Sequence, residues 1–410
     1  MALVPYEDAF ARVSARLSVT DAAEVPIQDC VGLVTAEDIR SLDDVPPFDN
    51  TAVDGFAVRS VDVTTVPVEL AVVATIAAGA APVVTLEEGT CARIMTGALI
   101  PDGADAVVMV EDTEQVRQDG LDGGAVEGGT VRIGRPARGG AHIRPAGDDL
   151  RVGDLAIPAS TRLQPAHVGL LATLGLTEVR VHRPPRVGVM STGDELVGAG
   201  VPLAPGQIRD SNRQMLLTLC SRVGVDAIDL GLVQDDRDAI RNALESAAAD
   251  CDAVVTSGGV SMGDYDYVKA VLNEIGDMDW MQVAIKPAKP FAFGMIGSTA
   301  VFGLPGNPVS SLVSFELFAR RGLRQMMGYP EPAPRRLRAQ AAVDFKRHSD
   351  GKVHYVRVGL VTADAALMAA PTGSQGSHQL AASAGADALA VIPNGDGIGA
   401  GEPVDVIPLA

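Results

Sequence analysis

Strand-like and helix-like segments alternate along residues 184–328, and this alternation constrains the fold more than any other feature of the sequence. Arg186–Gly193 has the pattern of a strand that ends in a turn, and a helix is predicted over Ser211–Val223. A second strand (Ala227–Val233) and a second helix (Asp236–Ala249) follow, and the pattern continues from there. Such alternation is typical of a parallel sheet with helices on both faces. We therefore predict a doubly wound α/β domain here.

Short β-rich segments separated by many glycines lie on both sides of this domain. Residues 1–165 predict a β-rich N-terminal region that contains a small barrel or sandwich, and 335–410 predict a small C-terminal β-barrel-like domain. Tyr6, Phe10, Val13 and Leu17 recur at helical spacing near the N-terminus. We expect that helix to pack on another element, such as a second subunit. The predicted fold class is therefore α/β and multidomain.

A strand, a glycine turn and a helix follow one another between Cys251 and Lys269. Ser257-Gly258-Gly259 lets the backbone approach a ligand without Cβ clashes, and the helix N-terminus presents N–H groups that suit a phosphate. The acidic residues Asp264 and Asp266 at the same place favour a phosphate bridged by magnesium. An ordinary strand-to-helix connection with acidic capping residues would have the same pattern, so this stretch alone leaves both interpretations open.

Polar and glycine-rich turns also follow the other strands of the predicted sheet. They are Ser191–Glu195, Gln234–Asp236, Ser257–Ser261 and Leu304–Pro308. The carboxyl ends of parallel strands meet at one edge, which is where α/β sheets bind ligands. Each turn alone is usually a cap, but together they predict a binding site for an anion and a divalent cation such as Mg²⁺.

Two lysines lie in the proline-rich segment Ile285–Pro290. Lys286 directly precedes Pro287, and Lys289 directly precedes Pro290. A fixed ammonium group of this kind suits an oxyanion, although a solvated loop is the alternative.

The net charge of −19, from 33 basic and 52 acidic residues, argues against nucleic acid as a partner. The sequence has no run of eighteen apolar residues and no signal-peptide pattern, so we expect no membrane association. The four cysteines are far apart in sequence and form no CxxC pair, which argues against a zinc site or a disulfide framework. A cytoplasmic location is the expectation.

Six motifs now carry a resemblance to a known family. In chain order they are TAVDGFAV, IMTGA, STGDEL, SGGVSMGDYDY, KPAKPFAFG and GLPGNPVS. In this order they resemble the molybdopterin molybdenumtransferases, which are related to the C-terminal part of gephyrin, and the match spans about residues 5–408. The resemblance implies an enzyme of molybdenum cofactor biosynthesis that inserts molybdate into adenylylated molybdopterin and releases AMP. It also implies dependence on Mg²⁺ and a homodimer whose cleft lies between two subunits.

The resemblance assigns roles to individual residues of this chain. The catalytic set would be Asp54, Thr96, Asp149, Glu195, Asp235, Asp266 and Lys286. The substrate-binding set would be Arg144, Pro305, Pro308 and Ser377 by resemblance, together with the residues of the turns and the lysine segment described above: Ser257, Gly258, Gly259, Ser261, Lys289 and Asn307. Glu195, Asp235 and Asp266 would hold the metal ion. Of these, Asp54, Thr96, Arg144 and Asp149 would face the cleft from the partner subunit.

The chain departs from the family pattern in two places. Gln282 stands where similar proteins can carry a lysine, so oxyanion binding would depend more on Lys286, Lys289 and the metal ion. The segment around Arg144 has one arginine where relatives can be more basic.

Three alternative functions remain open. A molybdopterin adenylyltransferase resembles residues 186–328 alone, and it would explain the SGG motif but not the flanking regions. A scaffold of the gephyrin type would need an additional fused domain, which we do not expect in this chain. A catalytically inactive paralogue is the third alternative, and the retained acidic set argues against it. A transient contact with a separate adenylyltransferase is a further expectation from the family.

Overall fold

The computed structural model describes residues 2–116, 127–259, 267–363 and 365–409. No helix within these ranges is long and apolar enough to cross a membrane. The helices are α1 (Tyr6–Ser14), α2 (Pro165–Thr173), α3 (Asn212–Val223), α4 (Arg237–Asp250), α5 (Tyr267–Ile275), α6 (Pro308–Ser314), α7 (Arg320–Met326) and α8 (Ala381–Ala384).

The strands are many and short. Those before residue 183 are β1 (Ala22–Pro26), β2 (Ile39–Arg40), β3 (Asn50–Thr51), β4 (Gly55–Val58), β5 (Val68–Ile76), β6 (Thr90–Ile94), β7 (Ala106–Met109), β8 (Thr113–Val116), β9 (Thr130–Ile133), β10 (Ile143–Arg144), β11 (Leu155–Ile157) and β12 (Glu178–His182). Those of the middle are β13 (Arg186–Thr192), β14 (Leu196–Val197), β15 (Ile208–Arg209), β16 (Asp226–Val233), β17 (Ala253–Ser257), β18 (Asp277–Gln282), β19 (Ile285–Lys286), β20 (Pro290–Ile296) and β21 (Thr299–Leu304). The last are β22 (Leu337–Ala341), β23 (Phe345–Lys346), β24 (Val353–Ala363), β25 (Ala366–Pro371), β26 (Ala388–Ile392), β27 (Gly397–Ile398) and β28 (Pro403–Pro408).

The chain divides into two compact units. One unit consists of Met1–Glu37, Ser160–Gln164 and Glu178–Ala410, and the other consists of Asp38–Ala159 and Pro165–Thr177. The second unit contains a mixed six-stranded sheet in the order β7-β4-β6-β5-β9-β8. Its core is built from small and β-branched side chains around Phe56. Gly55 permits the close pairing of β4 with β7, because a Cβ at this position would lie 2.0 Å from the carbonyl oxygen of Val108.

The α/β part of the first unit is built on a six-stranded sheet in the order β16-β13-β17-β21-β20-β18. β16, β13, β17 and β21 are parallel, as the alternation of strands and helices predicts. Helices α4 and α5 bury Ile240, Leu244, Val268, Val271 and Leu272 in the core of this domain. The predicted doubly wound α/β domain is confirmed.

The edge of this sheet is antiparallel, unlike the fully parallel sheet that the alternation predicts. β21 pairs with β20 and β20 pairs with β18, both antiparallel. The pair Ile296–Thr299 is joined through Gly297, whose φ is +59°. A two-residue connection closes a hairpin, whereas a parallel pair needs a crossover of a dozen or more residues.

The C-terminal part of the first unit is a barrel. The pairings run β24–β25, β25–β22, β22–β28, β28–β26 and back through β26–β24, which closes a ring of strands. Alanine and valine side chains fill the interior, together with Phe345 and Ile392. The predicted barrel-like C-terminal domain is confirmed.

The N-terminal helix packs against its own chain. α1 buries Tyr6, Phe10 and Val13, as the helical spacing predicts, but it ends at Ser14, before the half-buried Leu17. The Tyr6 ring lies 5.3 Å from the Phe318 ring, and its hydroxyl donates to the carbonyl oxygen of Leu317. Both partners belong to the π-helical segment Phe315–Ala319 between α6 and α7.

Candidate functional site

The turns that follow the central strands lie side by side. The N–H of Gly258, after β17, donates to the carbonyl oxygen of Leu304 at the end of β21 (3.1 Å). A Cβ on Gly258 would lie 3.2 Å from the carbonyl oxygen of Thr192 at the end of β13. Asp235, after β16, donates its N–H to Asp194 Oδ1. The sequence prediction that these turns converge at one edge is therefore confirmed.

The two glycines of the SGG turn are required by the backbone. Gly258 and Gly259 have φ of +97° and +73°, which side-chain-bearing residues rarely adopt. A Cβ on Gly259 would also lie 2.3 Å from Cβ of Val268 on α5. Packing of the turn against this helix therefore requires a glycine at position 259, whether or not a ligand also approaches the turn.

Ser257 is hydrogen-bonded by Asn212, the first residue of α3. Its side chain is 3% exposed, and its hydroxyl oxygen accepts a hydrogen bond from Asn212 Nδ2 (2.8 Å). The hydroxyl proton stays available for another acceptor. Ser257 is therefore fixed at the base of the turn.

The GLPGNP turn leads into α6. Pro305 is buried, Asn307 occupies the N-cap position without a side-chain capping bond, and Pro308 is the first helical residue. Proline is favoured at that position because its missing N–H needs no partner there. Gly306 and Asn307 are exposed, so the turn ahead of α6 is accessible.

The lysine segment is joined to the barrel. β19 pairs in parallel with β24, so that Lys286 lies opposite His354. The N–H of Val283 donates to the carbonyl oxygen of Lys289 (2.7 Å) and closes the loop, while Ala288 adopts a φ of +74°. Both lysine side chains lie outside the core on a loop of fixed geometry, as the prolines predict.

A cavity of about 800 Å³ lies between this segment and the barrel. Its walls include Lys286, Lys289, Ser310, Ser377, Lys346, Arg347, Lys352, His354 and Asp344. Within the described residues neither Lys286 nor Lys289 forms an ion pair, whereas Arg347 and Lys352 pair with Asp350. Burial lowers the pKa of His354, which keeps this imidazole neutral at neutral pH. The cavity is therefore cationic in a strongly acidic chain.

Ser377 reaches this cavity on a loop that a buried arginine holds. Arg357 on β24 is 1% exposed, and its guanidinium donates to the carbonyl oxygens of Ser374, Gly376 and Gln379. The N–H of Val309 in α6 donates to the carbonyl oxygen of Ser377 (3.0 Å). The loop is thus fixed both to the barrel and to the helix that follows the GLPGNP turn.

The second unit brings together two of its predicted site residues. Thr96 donates both its N–H and its hydroxyl to Asp54 Oδ1, each at 2.7 Å. The backbone hydrogen bond, followed by the hydroxyl, lowers the pKa of Asp54. Arg144 on β10 pairs with Asn50 on β3, and the N–H of Asp149 donates to the carbonyl oxygen of Val45. Arg144 and Asp149 are both exposed.

The predicted metal ligands are only partly described. Glu195 is exposed and Asp235 is half-buried, whereas Asp266 and the predicted substrate-binding Ser261 lie outside the described residues. In the ranges that the structure covers, no three His, Cys, Asp or Glu side chains are grouped closely enough to hold a metal ion. The assigned ligand set stays a prediction.

Three family descriptions match the chain in order. They are "MoeA N-terminal region (domain I and II)" at residues 4–175, "Probable molybdopterin binding domain" at 188–325 and "MoeA C-terminal region (domain IV)" at 338–409. The molybdopterin molybdenumtransferase of Haemophilus influenzae is 37% identical over 385 residues, which are 93% of this chain and 92% of that protein. The chain belongs to the molybdopterin molybdenumtransferase family.

Other members of the molybdenumtransferase family agree with this assignment. Molybdopterin molybdenumtransferase 2 of Mycobacterium tuberculosis is 40% identical over 318 residues, which cover 75% of this chain and 76% of that one. The crystal structure of a molybdopterin biosynthesis MoeA protein from Pyrococcus horikoshii covers 100% of both chains, with a TM-score of 0.82 and 33% identity.

Three residues at or near the site of this molybdenumtransferase-family chain were not predicted from the sequence: Asn212, Ser310 and Arg357. Asn212 begins an amphipathic helix and has the pattern of an ordinary cap. Arg357 lies in a strand whose neighbours are apolar, and a lone arginine there is the signal that was available.

Proposed function

We propose that this protein inserts molybdenum from molybdate into adenylylated molybdopterin with release of AMP, in the biosynthesis of the molybdenum cofactor. The observation that carries the proposal is the cationic cavity between the lysine segment and the barrel. A chain with a net charge of −19 repels anions in general. A cavity with two lysines that form no ion pair with any described residue is therefore a suitable binding site for an anion.

Lys286 and Lys289 bind the molybdate oxyanion in this proposal. Their ammonium groups supply point charges on a closed loop, and charge-assisted hydrogen bonds are stronger than neutral ones. Ser377 and Ser310, which line the same cavity, supply hydroxyl groups for the remaining oxygens. Gln282, which is neutral, adds no charge, so the two lysines carry the electrostatic attraction.

The turns at the sheet edge bind the phosphate groups of the adenylylated pterin. Ser257, Gly258 and Gly259 present one turn, and Pro305, Asn307 and Pro308 shape the other ahead of α6. Backbone N–H groups in such turns favour an anion. The proposed role of Ser261 follows from its place after the SGG turn in the sequence.

A divalent cation is part of the proposal at the acidic groups of the same edge. The hydrogen bond from Asp235 N–H to Asp194 Oδ1 brings the turn after β16 against the turn that carries Glu195. Carboxylate oxygens are the donors that Mg²⁺ prefers, so Glu195, Asp235 and Asp266 are the proposed ligands. When bound, Mg²⁺ would neutralise charge on the phosphates. The carboxylates would hold the ion, while the turns hold the phosphoanhydride.

Asp54, Thr96, Arg144 and Asp149 complete the site from a second copy of the chain in this proposal. The ionised Asp54, with its lowered pKa, suits a role as an acceptor at neutral pH. A homodimer, a transient contact with an adenylyltransferase and a cytoplasmic location belong to the same proposal. The four cysteines are unpaired and buried, which agrees with a reducing compartment.

The purified protein, adenylylated molybdopterin, molybdate and Mg²⁺ provide the test. We expect AMP release that requires molybdate, and loss of this release after exhaustive chelation with recovery on adding Mg²⁺. A parallel incubation with ATP and free molybdopterin tests the alternative, because only an adenylyltransferase forms the AMP adduct there. Formation of the adduct, or AMP release that is equally fast after chelation, would contradict the proposal.

A further inference from the structure

One side chain connects the two turns at the sheet edge. Asn212, the first residue of α3, is 9% exposed, and its Nδ2 donates to Ser257 Oγ (2.8 Å) and to the carbonyl oxygen of Gly306 (2.7 Å). Ser257 ends β17 and Gly306 follows β21, and these strands are neighbours with Ser257 opposite Leu304. A single amide therefore links the SGG turn to the GLPGNP turn.

The residues around Asn212 extend this link to the other parallel strands. Asp210 Oδ1 accepts from the Ser191 hydroxyl on β13 (3.1 Å), and its carboxylate also accepts from Arg213. Arg213 in turn pairs with Asp229 on β16. Asp210 is buried, and Arg213 is largely buried. The segment Asp210–Arg213 thus contacts β13, β16 and β17, and the turn that follows β21, near the proposed site.

The geometry of Asn212 is specific to an amide. Both hydrogen bonds use the NH₂ group, so an aspartate of the same shape cannot make them. Asn212 Oδ1 is buried and has no hydrogen-bond partner among the described residues. A buried acceptor without a partner costs free energy. The unpaired Oδ1 makes Asn212 a poor choice for stability alone. Its two donated hydrogen bonds, which fix one turn relative to the other, account for an amide at this position.

We infer that Asn212 is a positioning residue, which sets the separation of the SGG and GLPGNP turns and thereby aligns the two proposed phosphate-binding turns. The inference rests on the proposed function. When Asn212 loses its donors, the turns shift relative to each other and the bound phosphoanhydride is misaligned. A misplacement of this kind lowers kcat more than it weakens binding, because alignment matters most in the transition state.

Asn212→Asp and Asn212→Ala test this, with Asn273→Ala as the matched control. Asn273 Oδ1 accepts a 2.7 Å hydrogen bond from Trp280 Nε1 in the same domain, between α5 and β18. We expect kcat for AMP release to fall about ten- to a hundredfold in both Asn212 variants, while KM changes less than about threefold. The control is expected to lose thermal stability but keep its kcat.

Amide hydrogen exchange gives a readout that does not depend on activity. We expect faster exchange in the Asn212 variants at Gly258, whose N–H donates to the carbonyl oxygen of Leu304, and unchanged exchange there in the Asn273→Ala protein. Unchanged exchange at Gly258, or a wild-type kcat in Asn212→Asp, overturns the inference. If the wild-type protein itself releases no AMP, the proposed function fails, and the exchange data still decide whether Asn212 holds the two turns.

Discussion

The N–H of Val309 donates a hydrogen bond of 3.0 Å to the carbonyl oxygen of Ser377. Val309 is the second residue of α6, directly after the GLPGNP turn, and Ser377 lies in a loop of the C-terminal barrel. The bond satisfies an N–H at a helix N-terminus that has no partner within the helix. It also holds the barrel loop against the start of α6, so Ser377, which lines the cavity, comes from a part of the chain that is remote in sequence.

Replacement of the two cavity lysines tests oxyanion binding. Lys286→Met and Lys289→Met each keep much of the side-chain length and remove the charge. We expect the Kd for molybdate to rise about ten- to a hundredfold in each, since a charge-assisted hydrogen bond contributes about 1.5–3 kcal/mol. Equilibrium dialysis with molybdate measures the effect. Lys269→Met, which removes an ammonium group 5.4 Å from the centre of the Trp280 ring, is the control and should bind molybdate like the wild type.

Arg357→Lys tests the support of the Ser377 loop. Lysine cannot donate to several carbonyl oxygens in one plane, so buried acceptors lose their partners. We expect the free energy of unfolding to fall by about 2–4 kcal/mol and the Kd for molybdate to rise. Urea unfolding and dialysis measure the two effects. Arg338→Lys, on the exposed surface of the barrel, should change neither; equal losses in both variants would count against the role of Arg357.

Glu316 predicts a pH dependence of stability. Burial raises the pKa of this carboxyl to about 7, even though Arg320 Nε lies 3.1 Å away without hydrogen-bond geometry. The folded state therefore keeps a proton that the unfolded state loses between about pH 4.5 and 7. Stability from this group is fully present below about pH 4.5 and is lost as pH rises through about 7, by up to about 3 kcal/mol.

The Glu316→Gln variant isolates this contribution. A glutamine at this position does not titrate, so the wild-type loss of unfolding free energy between about pH 5 and 8 should become smaller in the variant. Urea midpoints across this range measure the difference. Glu245→Gln on α4, which removes a surface carboxylate beside Arg241, should leave the wild-type slope unchanged. Parallel wild-type and Glu316→Gln curves would show that the carboxyl is ionised throughout.

Thr96→Val tests the environment of Asp54. The substitution removes the hydroxyl donor and keeps the backbone donor, so the pKa of Asp54 should rise without returning to its ordinary value. If ionised Asp54 is required, the acid limb of the pH–rate profile for AMP release moves to higher pH. Thr113→Val, which removes a hydroxyl that donates to the Val110 carbonyl oxygen, is the control. An unmoved acid limb in Thr96→Val excludes Asp54 from the rate-limiting ionisation.

Local sequence patterns predicted the elements well, because their causes are local. The helix predicted over Ser211–Val223 is observed at Asn212–Val223, and the one predicted from Asp236 begins with Asp236 as its N-cap. Hydrophobic periodicity and capping depend on residues a few positions apart, so the local sequence is sufficient to predict them. β25 has no such local signal, because Ala366–Pro371 combines small residues with a proline and has no alternating pattern.

Three features follow from the order of the amino acids alone: the α/β alternation, the convergence of polar turns at one sheet edge and the fixed lysine loop. Their surroundings depend on the folded chain, in which β19 joins the barrel, Arg357 holds the Ser377 loop, and Asn212 donates to partners 45 and 94 residues away. The physical reason is that a strand or a cap is stabilised by its neighbours in sequence. A cavity wall or a shared hydrogen bond is stabilised by groups that meet only after the chain has folded.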